Sequence, residues 1–156
     1  MKTLHMLIGI PGSGKSTYTK EVLSKQIDDA ILVSSDETRN QNPDLNEDQI
    51  WPEIYRLCAK ALSENHNLIF DATNITPKVR KRFFDEIEKR GIPFDSYDKI
   101  AYFFIADPKL CIERVTIRNQ NPKERYLPLE VITNYYQNII EPTKEEGFSK
   151  INKIQY

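Results

Sequence analysis

Apolar runs and polar stretches alternate along the chain in a way that predicts strands and helices in turn. Thr3–Ile8 (T-L-H-M-L-I) is short and mostly apolar, as a buried strand is. From Thr17 to Ile27 the apolar residues Tyr18, Val22 and Leu23 recur at helical spacing. Ala30–Ser34 (A-I-L-V-S) reads as a second buried strand. Asp36 to Asp48 is polar and loop-like, punctuated by Pro43. A helix is expected from Asp48 to Glu64, with Ile50, Ile54, Leu57, Ala61 and Leu62 on one face and Pro52 tolerated in the first turns. Asn67–Phe70 is a third strand ending at Asp71, and Thr76 caps a helix from Pro77 to Arg90 that Gly91 closes. Ile100–Ala106 is a fourth strand, and a helix follows from Pro108 to about Arg118. After the polar, basic Asn119–Arg125 come a helix over Pro128–Ile140 and a last strand over Ile151–Tyr156.

Five short apolar strands separated by helices imply an α/β fold, a mostly parallel sheet covered on both faces. Ligands of such sheets bind beyond the carboxyl ends of the strands, so the residues just after each strand are the ones to inspect. The 156 residues fit one domain, 1–156, with no repeat, linker or low-complexity tract.

The segment after the first strand is the most informative. Gly9 to Thr17 read G-I-P-G-S-G-K-S-T, matching the phosphate-loop pattern G-x-x-x-x-G-K-[ST]. Gly12, Ser13, Gly14, Lys15, Ser16 and Thr17 are the expected nucleotide-binding residues. Glycines let several backbone N–H groups point at one anion. Lys15 offers a point charge to the β- and γ-phosphates, the Ser16 hydroxyl can ligate Mg²⁺, and the helix that starts there adds its dipole. A nucleoside triphosphate with Mg²⁺ is therefore the expected ligand.

The other strand ends add candidates. Asp36 follows the second strand, where a carboxylate can take the proton of an attacking hydroxyl. Arg39, three residues on, shares its face if the chain is helical there and can hold an anionic part of the acceptor. The bland alternative is that Asp36 caps a helix and Arg39 is a solvated charge. Asp71 ends L-I-F-D, an arrangement that commonly helps hold Mg²⁺; Asn74 is as much a turn residue as a ligand contact. Arg114, Arg118, Lys123 and Arg125 form a basic segment, with residues 118–127 read as a mobile lid whose arginines neutralise charge on a transferred phosphoryl group. Arg80-Lys81-Arg82 reads as the wet face of an amphipathic helix. Trp51 and Tyr55 are packing residues that could alternatively line a base-stacking surface.

Charge and cysteines narrow the classes. The net charge of −1 advertises neither a long duplex nor an anionic membrane as partner. Cys58 and Cys111 have no metal-ligand spacing and sit in apolar patterns, which points to buried free thiols and a cytoplasmic compartment. The apolar start runs into the phosphate loop rather than a cleavage site, and no stretch is long enough to span a bilayer. A GTPase is excluded because Asp71-Ala72-Thr73-Asn74 lacks the glycine of DxxG and Asn152-Lys153-Ile154-Gln155 ends in Gln. A ring-forming AAA+ motor would need a second helical domain beyond this length.

The order of these parts, G-x-P-G-S-G-K-S-T, then S-x-D-x-x-R, then D-x-T-N before a Pro-initiated basic helix, then an Arg-rich lid, resembles the 5′-polynucleotide kinase family, in its phage-type kinase domain, over nearly the whole chain. The resemblance implies that Lys15 and Ser16 bind ATP and Mg²⁺ and that Asp36 is the general base. It further implies that Arg39 contacts the acceptor's phosphate and that Arg118 and Arg125 contact the ATP phosphates. Asp71 carries over less directly, because the acidic residue beside the Thr-Asn pair has no fixed offset in the family. The expected partner is a nucleic-acid 5′ end, with no membrane. A stand-alone kinase without a 3′-phosphatase domain is expected. The loop and lid motifs are shared with other small P-loop kinases, so a small-molecule hydroxyl (sugar, nucleoside or nucleotide-sugar) is the alternative acceptor. A nucleotide-dependent binding protein is a further alternative, against which the intact Lys15, Ser16 and Asp36 set argues.

Overall fold

The computed structural model describes residues 1–156. Five strands form one sheet: β1 (Thr3–Ile8), β2 (Ala30–Ser34), β3 (Asn67–Asp71), β4 (Asp98–Phe104) and β5 (Lys150–Ile154). Their order is β2-β3-β1-β4-β5, and every neighbouring pair is parallel. The expected parallel α/β sheet with helices on both faces is the fold found.

Strand periodicity divides the apolar runs between two layers. Leu4, Met6 and Ile8 of β1, with Leu68 and Phe70 of β3, pack into the larger core under α4 (Glu47–Ser63) and α5 (Pro77–Lys89). Phe70 stacks on Phe83 of α5 with ring centroids 4.6 Å apart, a contact worth about 0.5–1.5 kcal/mol beyond the area it buries. Leu7, Ile69, Tyr102 and Phe104 face the other way, against Leu23. The helix covering that side begins as α1 (Lys15–Tyr18), widens into a π-helical stretch over Thr19–Leu23 and ends as α2 (Ser24–Gln26). A third cluster, Ile10, Cys111, Val115 and Ile132, joins the phosphate loop to α6 (Pro108–Asn119) and α7 (Leu129–Asn138). Cys58 and Cys111 are buried free thiols, as expected. No helix is long and apolar enough to cross a membrane.

Some boundaries differ from the sequence reading, for physical reasons. The polar stretch after β2 is not all loop: Ser35–Gln41 is a helix, α3. Its N-cap is Ser34, whose hydroxyl accepts from the Glu37 amide at 3.2 Å, so Asp36 is not the capping residue. β4 starts two residues earlier than Ile100 because Asp98 and Lys99 continue the pairing with Thr3 and Leu4. Lys99 is tolerated there because its buried ammonium donates to the Phe94 and Tyr97 carbonyls and lies over both rings. β5 begins at Lys150 and ends at Ile154.

Arg80 overturns the reading of its cluster as a wet face. Lys81 and Arg82 are exposed, but Arg80 is 0% exposed. Its Nε and Nη2 donate to Glu146 at 2.7 and 3.2 Å, and its Nη1 donates to the Asn74 carbonyl at 2.7 Å. Removing one side of a buried pair strands the other. Arg80→Met is therefore expected to lower stability by about 3–5 kcal/mol, read as a shifted urea midpoint with unchanged denaturant slope. A change below a tenth of that loss would mean that Arg80 is no strut.

Candidate active site at the carboxyl ends of the strands

The phosphate loop takes its shape from two glycines. Gly12 and Gly14 have φ of +81° and +97°, a region L side chains rarely enter. A Cβ on Gly12 would also lie 2.7 Å from the Cys111 carbonyl oxygen, so α6 packs directly on the loop. Arg114 of α6 strengthens that seam by donating to the Gly12 carbonyl at 3.0 Å and to the Tyr156 carbonyl at 3.1 Å. Of the basic segment, Arg114 is thus a structural tie.

The loop after β3 is fastened to the same place. The Gly9 amide donates to the Thr73 carbonyl at 3.1 Å. Asn74 is buried at φ +47° and donates to the Leu7 carbonyl at 2.7 Å. Its position is that of a brace between two strand ends, with Arg80 behind it. Asn74 thereby fixes Asp71 relative to the phosphate loop.

One cleft of about 290 Å³ collects the candidates: Gly12, Gly14, Lys15, Ser16, Thr17, Asp36, Arg39, Asp71, Arg118 and Arg125 all line it. Ser13 stands apart. It is buried under the loop, its hydroxyl has no hydrogen-bond partner, and its amide donates to the Ile10 carbonyl at 3.2 Å. Trp51 lines the cleft, whereas Tyr55 packs in the core.

Lys15 folds back on its own loop, donating to the Gly9 and Ile10 carbonyls at 3.0 and 3.1 Å. Burial pushes its pKa down, against the pull of the Asp71 and Asp36 carboxylates. Burial likewise pushes Asp71 up, against Lys15 and the Ser16 hydroxyl. Ser16 Oγ donates to Asp71 Oδ2 at 2.8 Å. A hydroxyl and one carboxylate beside a phosphate cradle are the hard-oxygen donors that suit Mg²⁺, which fills its remaining positions with phosphate oxygens and water.

On the facing wall, α3 turns Asp36 and Arg39 to one side. Arg39 Nη1 donates to Asp36 Oδ1 at 3.0 Å, as the three-residue spacing on a helix predicts. The sequence reading missed what else holds Arg39. Its Nε and Nη2 form a bidentate pair with Glu47 at 3.0 Å each, and its guanidinium lies 5.7 Å from the Trp51 ring centre. Burial works against the Arg39 charge, but the Glu47 hydrogen bond and its charge outweigh it, and the Arg39 pKa rises. The same hydrogen bond holds Glu47 below the usual carboxylate range. No local spacing signals this pair, because it crosses the turn between α3 and α4.

Arg118 lies at the end of α6, and Arg125 on the loop that follows. Asn119 cinches that loop, its Nδ2 donating to the Leu127 carbonyl at 2.8 Å and its Oδ1 accepting from the Leu127 amide at 2.9 Å. Arg125 Nη1 lies 3.7 Å from Asp36 Oδ1, so this loop touches the wall opposite the phosphate cradle.

The architecture is shared with solved proteins of low sequence identity. A chain of the Pnkp1/Rnl/Hen1 RNA repair complex superposes with a TM-score of 0.68 at 22% identity, over 88% of this chain and 43% of that one. Kti12 from Chaetomium thermophilum, in complex with ADP-AlF3, gives 0.64 at 16% identity, over 98% and 89%. A gluconokinase from Sinorhizobium meliloti 1021 gives 0.58 at 12% identity, over 98% and 81%. The chain spans less than half of the RNA-repair chain it matches. These likenesses concern the fold, which is P-loop kinase-like. The profile of the family described as AAA domain matches residues 4–142, and the chain belongs to that family.

Proposed function

We propose that this protein is an ATP- and Mg²⁺-dependent kinase that transfers the γ-phosphoryl group to the 5′-hydroxyl of a nucleic-acid end. The observation that carries the reading is the placement of Asp36 and Arg39 on one helix, facing Lys15 and Ser16 across a single cleft. A phosphate-binding loop alone needs no such wall. A carboxylate beside an arginine suits an acceptor whose hydroxyl neighbours a phosphate.

The loop amides and Lys15 hold the ATP phosphates. Ser16 and Asp71 would hold Mg²⁺, which would supply neutralisation of the phosphate charge. Asp36 accepts the proton of the acceptor hydroxyl as its oxygen bonds to the γ-phosphorus. The bond from that phosphorus to the β-bridging oxygen breaks, and ADP leaves with the electron pair. Arg39 orients the acceptor phosphate, held in place by Glu47 and Trp51. Arg118 and Arg125 meet the charge that develops on the transferred group.

The test is transfer of labelled phosphate from ATP to a short 5′-hydroxyl oligonucleotide. Transfer supports the acceptor class. Normal ATP binding with no transfer to any DNA or RNA end would overturn it. A second reading, a small-molecule hydroxyl as acceptor, is favoured by one feature: Glu47 occupies two donors of the Arg39 fork, which lowers the positive charge on the acceptor wall. Transfer to sugars or nucleosides but not to oligonucleotides would select it.

Lys15 gives a pH prediction. Its lowered pKa in the free protein returns upward when an anion binds beside it. Between the free-protein value, which lies below the ordinary 10.5, and the higher bound value, ATP binding takes up a proton. Affinity therefore falls as pH rises through that window. Calorimetry at alkaline pH in buffers of different ionisation enthalpy should show the uptake, and Lys15→Met should abolish it. Heat independent of buffer in the parent protein would contradict it.

A further inference from the structure

Beyond Arg39 the cleft changes character. Two helices each turn a pair of residues four apart to it, Glu47 and Trp51 on α4 and Val131 and Tyr135 on α7. Ile132 of α7 goes instead into the third core cluster. Leu127 and Pro128 extend the apolar lining. Trp51 and Tyr135 are large rings left only half-buried. Trp51 pairs with one other ring, that of Tyr55 in the core, and Tyr135 with none. A cleft that begins at a phosphate cradle thus ends in two partly uncovered rings. Arg39 joins the two regions. Its guanidinium lies 5.7 Å from the Trp51 ring centre, and its plane is fixed by Glu47 and Asp36.

We propose that this end of the cleft is a subsite for the nucleobase of the acceptor's terminal nucleotide, which stacks among Trp51, Tyr135 and the Arg39 guanidinium. The inference rests on the kinase reading of the cleft and makes its acceptor one that carries a planar ring. Aromatic side chains and arginine planes take a base on its π-face, and stacking of that kind tolerates any base. A sugar standing there would leave hydroxyls against Val131, Leu127 and Pro128, whose side chains offer no hydrogen bond.

The order of groups along the wall fits one nucleotide. Arg39 meets Asp36 at 3.0 Å on one side and the Trp51 ring on another. A terminal nucleotide presents its 5′-hydroxyl, its 3′-phosphate and its base from a single sugar. The hydroxyl then meets Asp36, the phosphate Arg39 and the base Trp51. Because α7 follows the loop that carries Arg125, the same segment bounds both the base and the transferred group.

Trp51 is the only tryptophan of the chain, so its emission reports on this end of the cleft alone. A 5′-hydroxyl oligonucleotide is expected to quench it, and the same strand with an abasic 5′ residue is not. In transfer from ATP the parent should prefer the base-bearing end by about 10- to 100-fold, mostly through KM. Trp51→Ala should erase most of that preference by a loss on the base-bearing end, and Trp51→Phe should restore much of it. Tyr135→Ala, on a different helix, should weaken the preference independently if Trp51→Ala fails to fold. Tyr135→Phe should keep it, because the ring and not its hydroxyl is used. A thermal shift with ATP marks a folded variant. Equal transfer to the two ends by the parent, or a preference that survives both alanine variants, would overturn this subsite and leave the kinase reading standing. Transfer to neither end would overturn both.

Discussion

Asp36→Ala is expected to slow phosphoryl transfer by about 10²–10⁴-fold while leaving ATP affinity within a factor of about 3. Removing a general base withdraws help given only as the hydroxyl proton is lost, so the loss falls on kcat. The structure makes this a clean substitution. Asp36 is on the open wall of the cleft, 59% exposed at the side chain, and no backbone group depends on it. Arg39 stays in place without it, because Glu47 holds the other side of the guanidinium through two hydrogen bonds. Ser34 still caps the helix. Asp36→Asn, which keeps the shape and a hydrogen-bond acceptor, should lose nearly as much. If Asp36 were only the partner of a surface ion pair, its removal would cost at most about 1 kcal/mol of stability and leave the rate alone. Single-turnover transfer from labelled ATP, with nucleotide affinity measured separately, distinguishes the two. A parental rate in both variants would end the general-base assignment.

How legible each part was in the sequence depended on whether its physics is local. The phosphate loop declares itself because adjacent residues make it, and the positive φ of Gly12 and Gly14 is what the glycine pattern demands. β1 and β3 were readable because both faces of a central strand are covered, leaving a continuous apolar run. Three features were present but under-read. Arg80 lies three, four and seven residues before Phe83, Phe84 and Ile87, on the apolar stripe of α5, so its burial was written in the spacing. Ser34 followed three residues later by Glu37 is a helix-start pattern, although α3 has no apolar stripe to draw attention to it. The Asn46–Gln49 capping box likewise marks the start of α4. Other features had no sequence signal at all. The Arg39–Glu47 pair, the clasp of Asn119 on Leu127 and the brace from Asn74 to Leu7 join residues that meet only after the chain has folded. Lys99 inside β4 goes against propensity and is allowed because neighbouring carbonyls and rings receive its charge.

Arg125→Ala is expected to reduce kcat by on the order of 10³–10⁵-fold, with a much smaller effect on ATP binding. In phosphoryl transfer the negative charge spreads over the moving group, and a guanidinium inserted from a loop stabilises that arrangement more than the ground state. Arg125 lines the cleft from the loop after α6. Its loop is tied at the base by Asn119, which limits the ways it can move and keeps the tip over the cleft. In the structure the Arg125 guanidinium rests 3.7 Å from the Asp36 carboxylate, while Arg39 holds the same oxygen from the other side. Arg125 occupies the space beside the Asp36 oxygen, so it must move aside for an acceptor hydroxyl to reach that carboxylate. The γ-phosphate offers it more charge than one exposed carboxylate, and its transfer to the nucleotide would free Asp36 as the loop closes. Arg125→Lys should fail to restore the rate, because one ammonium cannot bridge two phosphate oxygens as the planar fork does. Asn119→Ala should produce an intermediate loss, since it loosens the loop but keeps the charge. The order parent, Asn119→Ala, Arg125→Ala in single-turnover rate is the expected result. An Arg125→Ala variant that transfers phosphate at the parental rate would reduce this segment to a solvated loop.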